Sequence, residues 1–246
     1  MLLALIERKG LMHQFYSPDI EQTGRLPEDE SLHCSRVLRL DKGTAIAIAD
    51  GKGNRFVAEI VLAHPKNTIV EIKEKQHVDR NENNLIHIAI VPTKNKDRLE
   101  WFVEKATEIG VDIITPVFSH HAERKQISME RLLKVAVAAM KQSQRAYLPL
   151  IQPPVLFETL LENCTEKQRF IAHCYEQQRV FLSSVYRPSE RSIVLIGPEG
   201  DFTEEEVTNA LAHQFVPVSL GNHRLRTETA GIVACHTLEM LRTDWK

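Results

Sequence analysis

Residues Ser192–Val207 read SIVLIGPEGDFTEEEV. The first five are apolar or small, the pattern of a strand covered on both faces. A turn follows, Gly197-Pro198-Glu199-Gly200. Then comes Thr203 with Glu206 three residues later, the signature of a capping box at a helix start. A strand running through a glycine turn into a helix is the building unit of a parallel sheet, where ligands sit at the carboxyl ends of strands.

The same alternation extends in both directions. Upstream, LIHIAIV (85–91), VDIITPVF (111–118) and QRFIAHCY (168–175) are strand-like. DRLEWFVEKATEIG (97–110) is an amphipathic helix with Leu99, Phe102, Val103, Ala106 and Ile109 on one face and Gly110 as its stop. SMERLLKVAVAAMKQSQR (128–145) predicts a second helix, capped by Ser128 with Arg131 facing out. Downstream come a helix (203–213), the strand FVPVSLG (215–221) and a final helix, TAGIVACHTLEML (229–241). The pattern predicts an α/β fold: a mostly parallel sheet with helices on both faces. Its ligand crevice would be built from the loops after Cys174, Ile196 and Leu220.

Before residue 80 the pattern is β. HQFYS, TAIAIAD, NRFVAEIVLA and TIVEIKE are short alternating runs separated by turns, including the loop Asp50–Asn54, and Asp29–Leu38 is helical in pattern. Mostly strands over so short a length predict a small barrel, because closure removes exposed edges. His77–Asn84 reads as a linker. The chain therefore divides into residues 1–80 and 81–246, with residues 1–11 a poorly ordered extension, as from an upstream start codon.

The 246 residues suffice for one large domain or two modest ones. A net charge of −2 advertises no broad basic surface. Lys94–Arg145 carries ten basic against seven acidic residues; a local RNA patch and a solvated helix face would both give that count. No apolar run approaches the roughly 20 residues that span a bilayer, and MLLALIERKGLM is too short and too soon charged for a signal peptide. Cys34, Cys164, Cys174 and Cys235 form no Cys-x-x-Cys pair, so each reads as a small buried residue of a cytoplasmic protein. The eleven histidines show no metal-ligand spacing, and no metal is expected.

Gly197 and Gly200 can turn with positive φ and admit a ligand without a Cβ in the way. Pro198 removes an amide that a phosphate loop would want. Glu204, Glu205 and Glu206 suit the helix dipole but would repel phosphate. The loop matches neither G-x-G-x-x-G nor G-x-x-x-x-G-K-[ST]. A cationic cofactor without phosphate, such as S-adenosylmethionine, fits these residues better than a dinucleotide. An ordinary capped turn fits them equally well. The second loop, LGNHRLRTETAG (220–231), gathers Arg224, Arg226 and Glu228 between a strand end and a helix start. Thr229 would cap the helix, leaving Thr227 and Glu228 facing the crevice. A surface ion pair between Arg226 and Glu228 is the plainer alternative.

Together, IGPEGDFTEEEV and SLGNHRLRTETAG resemble the SPOUT methyltransferases, specifically the RsmE family. HCSRVLRLDKGTAIAIADGKGNRF is similar to that family's PUA-like N-terminal domain, and TKNKDRLEWFVEKATEIGVDIITPV and KQSQR to its other motifs. The resemblance spans nearly the whole chain. Asp201 departs from the family pattern G-P-E-G-G-F; aspartate tolerates left-handed φ better than most residues. The resemblance implies a trefoil knot and S-adenosylmethionine-dependent methylation of N3 of a uridine in 16S ribosomal RNA. It implies that the cofactor is held by Leu195, Ile196, Gly197, Glu199, Gly200, Leu220, Gly221, Leu225, Thr227, Thr229 and Ala230. Arg226 would stabilise charge on the uracil oxygens, with Arg145 as a second choice for base or phosphate contact. Glu228 would be the general base or would orient Arg226. His33, Arg36, Arg39, Lys52 and Arg55 would hold RNA. A homodimer would complete the site, with Gly231, Ala234, Cys235 and Leu238 forming a small-residue face; packing against the chain itself is the alternative for that face. Two rival functions remain open: an RNA-binding protein inactivated at Asp201, and a nucleotide-dependent transferase.

Overall fold

Strands covered on both faces have no polar side, and two stretches show it: all five residues of Ile86–Ile90 and all five of Ser192–Ile196 are buried. The structure, a computed structural model, describes residues 12–123, 126–175 and 179–242; the expected extension over residues 1–11 lies outside them. The chain divides into two units. One reaches to Arg80 and also takes in Val137–Leu148; the other comprises Asn81–Ala136 and the chain from Pro149 onward.

In the first unit, β1 (Gln14–Tyr16), the short helices α1 (Ile20–Thr23) and α2 (Glu28–Leu32), then β2 (Ala45–Ala49), β3 (Asn54–Leu62) and β4 (Ile69–His77) follow in order. The four strands form one sheet in sequence order, with β1 and β2 parallel and the other pairs antiparallel. No fifth strand closes it among the described residues. The far edge of β4 is instead met by an isolated bridge, Arg25 to Ile69, flanked by bonds from Leu26 N to Thr68 O and from Val70 N to Gly24 O. Phe15, Ile46, Ile48, Phe56 and Ile60 fill the core beneath, with Cys34 among them. One wide turn at His33–Val37 extends α2.

The second unit contains β5 (Ile86–Ile90), α3 (Lys96–Ile109), β6 (Ile113–Phe118), β7 (Leu150–Ile151), β8 (Val155–Leu156), α5 (Phe157–Asn163), β9 (Gln168–Ala172), β10 (Val180–Phe181), α6 (Leu182–Val185), β11 (Ser192–Ile196), α7 (Glu204–Ala212), β12 (Val216–Ser219) and α8 (Thr227–Arg242); α4 (Met129–Gln142) lies between β6 and β7 in the chain. The sheet order is β10-β12-β9-β11-β5-β6-β7, with β8 also on β6, and every pair is parallel. Side chains from β5, β9 and β11 pack on one face with Phe157 and Leu161 of α5 and Val207 and Ala210 of α7. On the other face α8 lies on β5 and β11 and against α3.

Two expectations change here. Cys174 is exposed, not a small core residue, while Cys34 and Cys235 are buried. The small face of α8 is covered by its own chain: Gly231, Ala234, Cys235 and Leu238 are buried, and a Cβ on Gly231 would lie 2.6 Å from a ring carbon of Phe102 and 3.2 Å from Ile90. Helix propensity alone would favour alanine at Gly231 by about 1 kcal/mol. Overpacking a closed interface costs about 1–3 kcal/mol. Gly231→Ala should therefore lower stability in urea denaturation, and Phe102→Leu should restore part of the loss. A stabilised Gly231→Ala would contradict this packing.

Candidate functional site

Because β12, β9 and β11 are sheet neighbours, the loops leaving their carboxyl ends meet. They wall a cavity of about 490 Å³. Ile196, Gly197, Glu199, Leu220, Gly221, Leu225, Arg226, Thr227 and Ala230 line it, with Asp201 and Arg224. Leu195, Gly200, Glu228 and Thr229 do not. Leu195 alternates to the opposite face of the sheet and joins the core over α5 and α7. Thr229 does not cap the last helix, which starts at Thr227 with the Ala230 amide bonded to Arg226 O at 2.7 Å. Thr227 is buried, and its hydroxyl donates to Gly197 O at 2.9 Å.

The glycines of the first loop serve a purpose other than the expected one. Neither Gly197 nor Gly200 has positive φ; the left-handed residue is Asp201, at φ 66°. Gly197 lacks a side chain because one there would meet the Phe202 ring at 3.1 Å. The Asp201 carboxylate accepts the Phe202 amide at 2.8 Å and, across the loops, the Cys174 amide at 2.7 Å.

Charge is arranged differently from the sequence expectation too. Thr203 and Glu206 form the capping box, and the second oxygen of Glu206 accepts the His120 amide at 2.8 Å, so this carboxylate turns inward. None of Glu204, Glu205 and Glu206 lines the cavity, whereas Arg98, Arg179, Arg224 and Arg226 all do. These three glutamates therefore raise no barrier to phosphate; the carboxylates of the lining are Glu199 and Asp201, set among four arginines. Arg224 donates to Glu199 O at 3.2 Å, linking the second loop to the first. The Arg226 side chain has no hydrogen-bond or ion-pair partner among the described residues. Glu228 is buried and turned toward Arg98, with Oε1 3.6 Å from Arg98 Nε and Oε2 unpartnered; it does not pair with Arg226.

Arg98, Arg179 and His173 are among the cavity residues that escaped sequence analysis. Arg98 sits in the first turn of α3, remote in sequence from the loops. Arg179 donates to His173 O. His173 is buried, and neither ring nitrogen finds a partner among the described residues. Burial pushes its pKa down, Asp201 opposes that shift and Arg179 adds to it. Burial and then Asp201 push the Cys174 thiol up. Only the position of His173 at a strand end could have signalled it. Among the described residues no group of three His, Cys, Asp or Glu side chains could hold a metal ion.

The remaining candidates lie in the first unit. Arg36, Arg39 and Lys52 are exposed, and His33 and Arg55 are half-buried. Lys52 Nζ donates to Pro18 O at 3.2 Å, and the Arg55 guanidinium donates to Gln144 O. Arg145 follows α4, its amide bonded to Met140 O at 3.0 Å. Burial, Lys141 and His13 lower the pKa of His33.

A family model described as an RNA methyltransferase domain matches residues 80–239, and one described as an RNA methyltransferase PUA domain matches residues 26–73. The ribosomal RNA small subunit methyltransferase E of Buchnera aphidicola is 27% identical over 237 residues, covering 93% of this chain and 92% of its own length. A probable rRNA-methyltransferase from Porphyromonas gingivalis superposes with a TM-score of 0.88 at 42% identity, covering 94% of this chain and 98% of that one. A ribosomal RNA small subunit methyltransferase E from Neisseria gonorrhoeae, bound to S-adenosyl methionine, superposes with a TM-score of 0.81 at 28% identity over the same shares of each chain.

The Thr227 hydroxyl ties the start of α8 to the end of β11. Thr227→Val leaves the Gly197 carbonyl without its donor and should cost about 1–3 kcal/mol in denaturant unfolding, while Thr227→Ser should stay close to the parent. Equal stability of all three proteins would remove this bond from the account.

Proposed function

The chain belongs to the RNA methyltransferase family, and from that premise we propose that it methylates N3 of a uridine in 16S ribosomal RNA with S-adenosylmethionine, in the cytoplasm. The carrying observation is the cavity at the ends of β9, β11 and β12. Its volume is within the ~300–1,000 Å³ usual for small-molecule sites. Its lining suits the methyl donor: main chain at Gly197 and Gly221 and apolar side chains at Ile196, Leu220, Leu225 and Ala230. When bound, S-adenosylmethionine supplies an electrophilic methyl group on a sulfonium.

The chain's own residues do the rest. Holding N3 in line with the methyl group replaces a bimolecular encounter with a unimolecular one, worth up to about 7–11 kcal/mol in favourable cases. As the N3 proton is lost to solvent water, charge spreads onto the uracil oxygens. The Arg226 guanidinium, exposed on the cavity wall, is free to meet it. Glu228 is better suited to orienting Arg98 than to taking the proton, being buried and off the lining. Arg98, Arg179 and Arg224 offer positive charge where an RNA backbone would approach. Residues 1–80 act as the PUA-like RNA-holding domain, through His33, Arg36, Arg39, Lys52 and Arg55 with Arg145 as a further contact, and residues 81–246 as the catalytic domain.

The same reading includes a trefoil knot and a homodimer. The dimer needs a surface other than the buried small face of α8; Trp101, Met240 and Leu241 are exposed apolar side chains on α3 and α8.

Mass mapping of 16S ribosomal RNA from cells lacking the gene tests the function. One N3-methyluridine should disappear and return with the wild-type gene. Arg226→Ala should fail to restore it while binding S-adenosylmethionine within about threefold of wild type. An unchanged map on deletion would overturn the function; restoration by Arg226→Ala would overturn the role of Arg226.

A further inference from the structure

The wall of the cavity that follows β9 is attached to the rest by a side chain. His173 and Cys174 leave the strand there, and the Cys174 amide points across to the loop that follows β11. Asp201 receives it. Four features converge on this residue. Its backbone is left-handed, at φ 66°. Its own amide closes the turn onto Pro198 O at 3.0 Å. One carboxylate oxygen accepts the Phe202 amide and the other the Cys174 amide, at 2.8 and 2.7 Å. Its carbonyl oxygen lies 3.0 Å from His121 Nδ1.

A non-glycine residue in this conformation is strained, aspartate less than most. Charge-assisted bonds to two backbone amides outweigh that. No shorter or neutral side chain does both tasks: glycine removes both acceptors, and asparagine keeps one carbonyl oxygen and presents an NH₂ group to the other amide.

We propose that Asp201 is the positioning residue of the cavity, a staple between the β9 and β11 loops that sets the wall bearing His173 before a ligand enters. This rests on the cavity being the methyl-donor site. A wall ordered in advance does not have to be ordered on binding, so the staple acts on affinity through preorganisation. Because it acts through the wall and not through a bond to the ligand, it strengthens binding of both a cationic donor and its neutral thioether product.

The test compares wild type, Asp201→Asn and Asp201→Gly. Hydrogen exchange at the Cys174 amide is followed by NMR without ligand, and binding of S-adenosylmethionine and S-adenosylhomocysteine by calorimetry. Circular dichroism checks that each variant is folded. The Cys174 amide should be protected in wild type, and exchange faster in Asp201→Asn and fastest in Asp201→Gly. Both ligands should weaken in parallel, by about tenfold for Asp201→Gly, the size of ordering one more backbone residue on binding. Unchanged exchange at Cys174, or unchanged affinity, would overturn the staple. Weakening of S-adenosylmethionine alone would also overturn it, showing a charge contact instead. If neither ligand binds wild type, the donor-site reading fails, and the exchange data still decide whether Asp201 holds the loops.

Discussion

The hydroxyl of Thr227 reaches the carbonyl of Gly197, and on that join the site depends. It fixes the first turn of the last helix to the end of a central strand. Two further links complete the enclosure: Arg224 to the Glu199 carbonyl, and Asp201 to the Cys174 amide. The last joins the loops of the neighbouring strands β9 and β11, the other two reach past β9 from the segment after β12 to the loop after β11, and all three end on main chain. A parallel sheet delivers such loops to one edge; these bonds turn an edge into an enclosed cavity.

The electrostatics reverse a plausible expectation in an informative way. Three consecutive glutamates after a glycine turn look like a barrier to anions. One of them, Glu206, is consumed by the capping box and the His120 amide, and the other two lie off the cavity. The arginines that line it come from four separate places: α3, the segment after β9, and two positions of the loop after β12. A cavity of main chain and apolar side chains rimmed by arginines suits a polyanionic acceptor beside a small-molecule donor.

Much of this was legible in the sequence, for reasons that differ from element to element. Strands buried on both faces are apolar but for single positions such as His87 and Ser192, so Ile86–Ile90 and Ser192–Ile196 announced themselves. The capping box of Thr203 and Glu206 is local chemistry at fixed spacing and was read correctly. The two-residue strands β7, β8 and β10 carry no periodicity at all. Neither the grouping of Val137–Leu148 with the first unit nor the approach of Arg98 to Glu228 has a local signal, because both are tertiary. The start of the last helix was placed two residues late, because Thr229 is a good cap by type, whereas the helix begins at Thr227, whose hydroxyl is taken by the Gly197 carbonyl, a tertiary partner with no local signal. At Asp201, residue type showed that left-handed backbone was tolerable; it could not show the partner that makes it useful.

The central claim is that the three loops hold the methyl donor with main chain and apolar contacts. A crystal structure of the chain grown with S-adenosylhomocysteine tests it most directly. The account predicts the ligand in the cavity between the loops after β9, β11 and β12, against Gly197, Leu220 and Leu225. A ligand bound elsewhere, or loops that do not meet around it, would contradict the account.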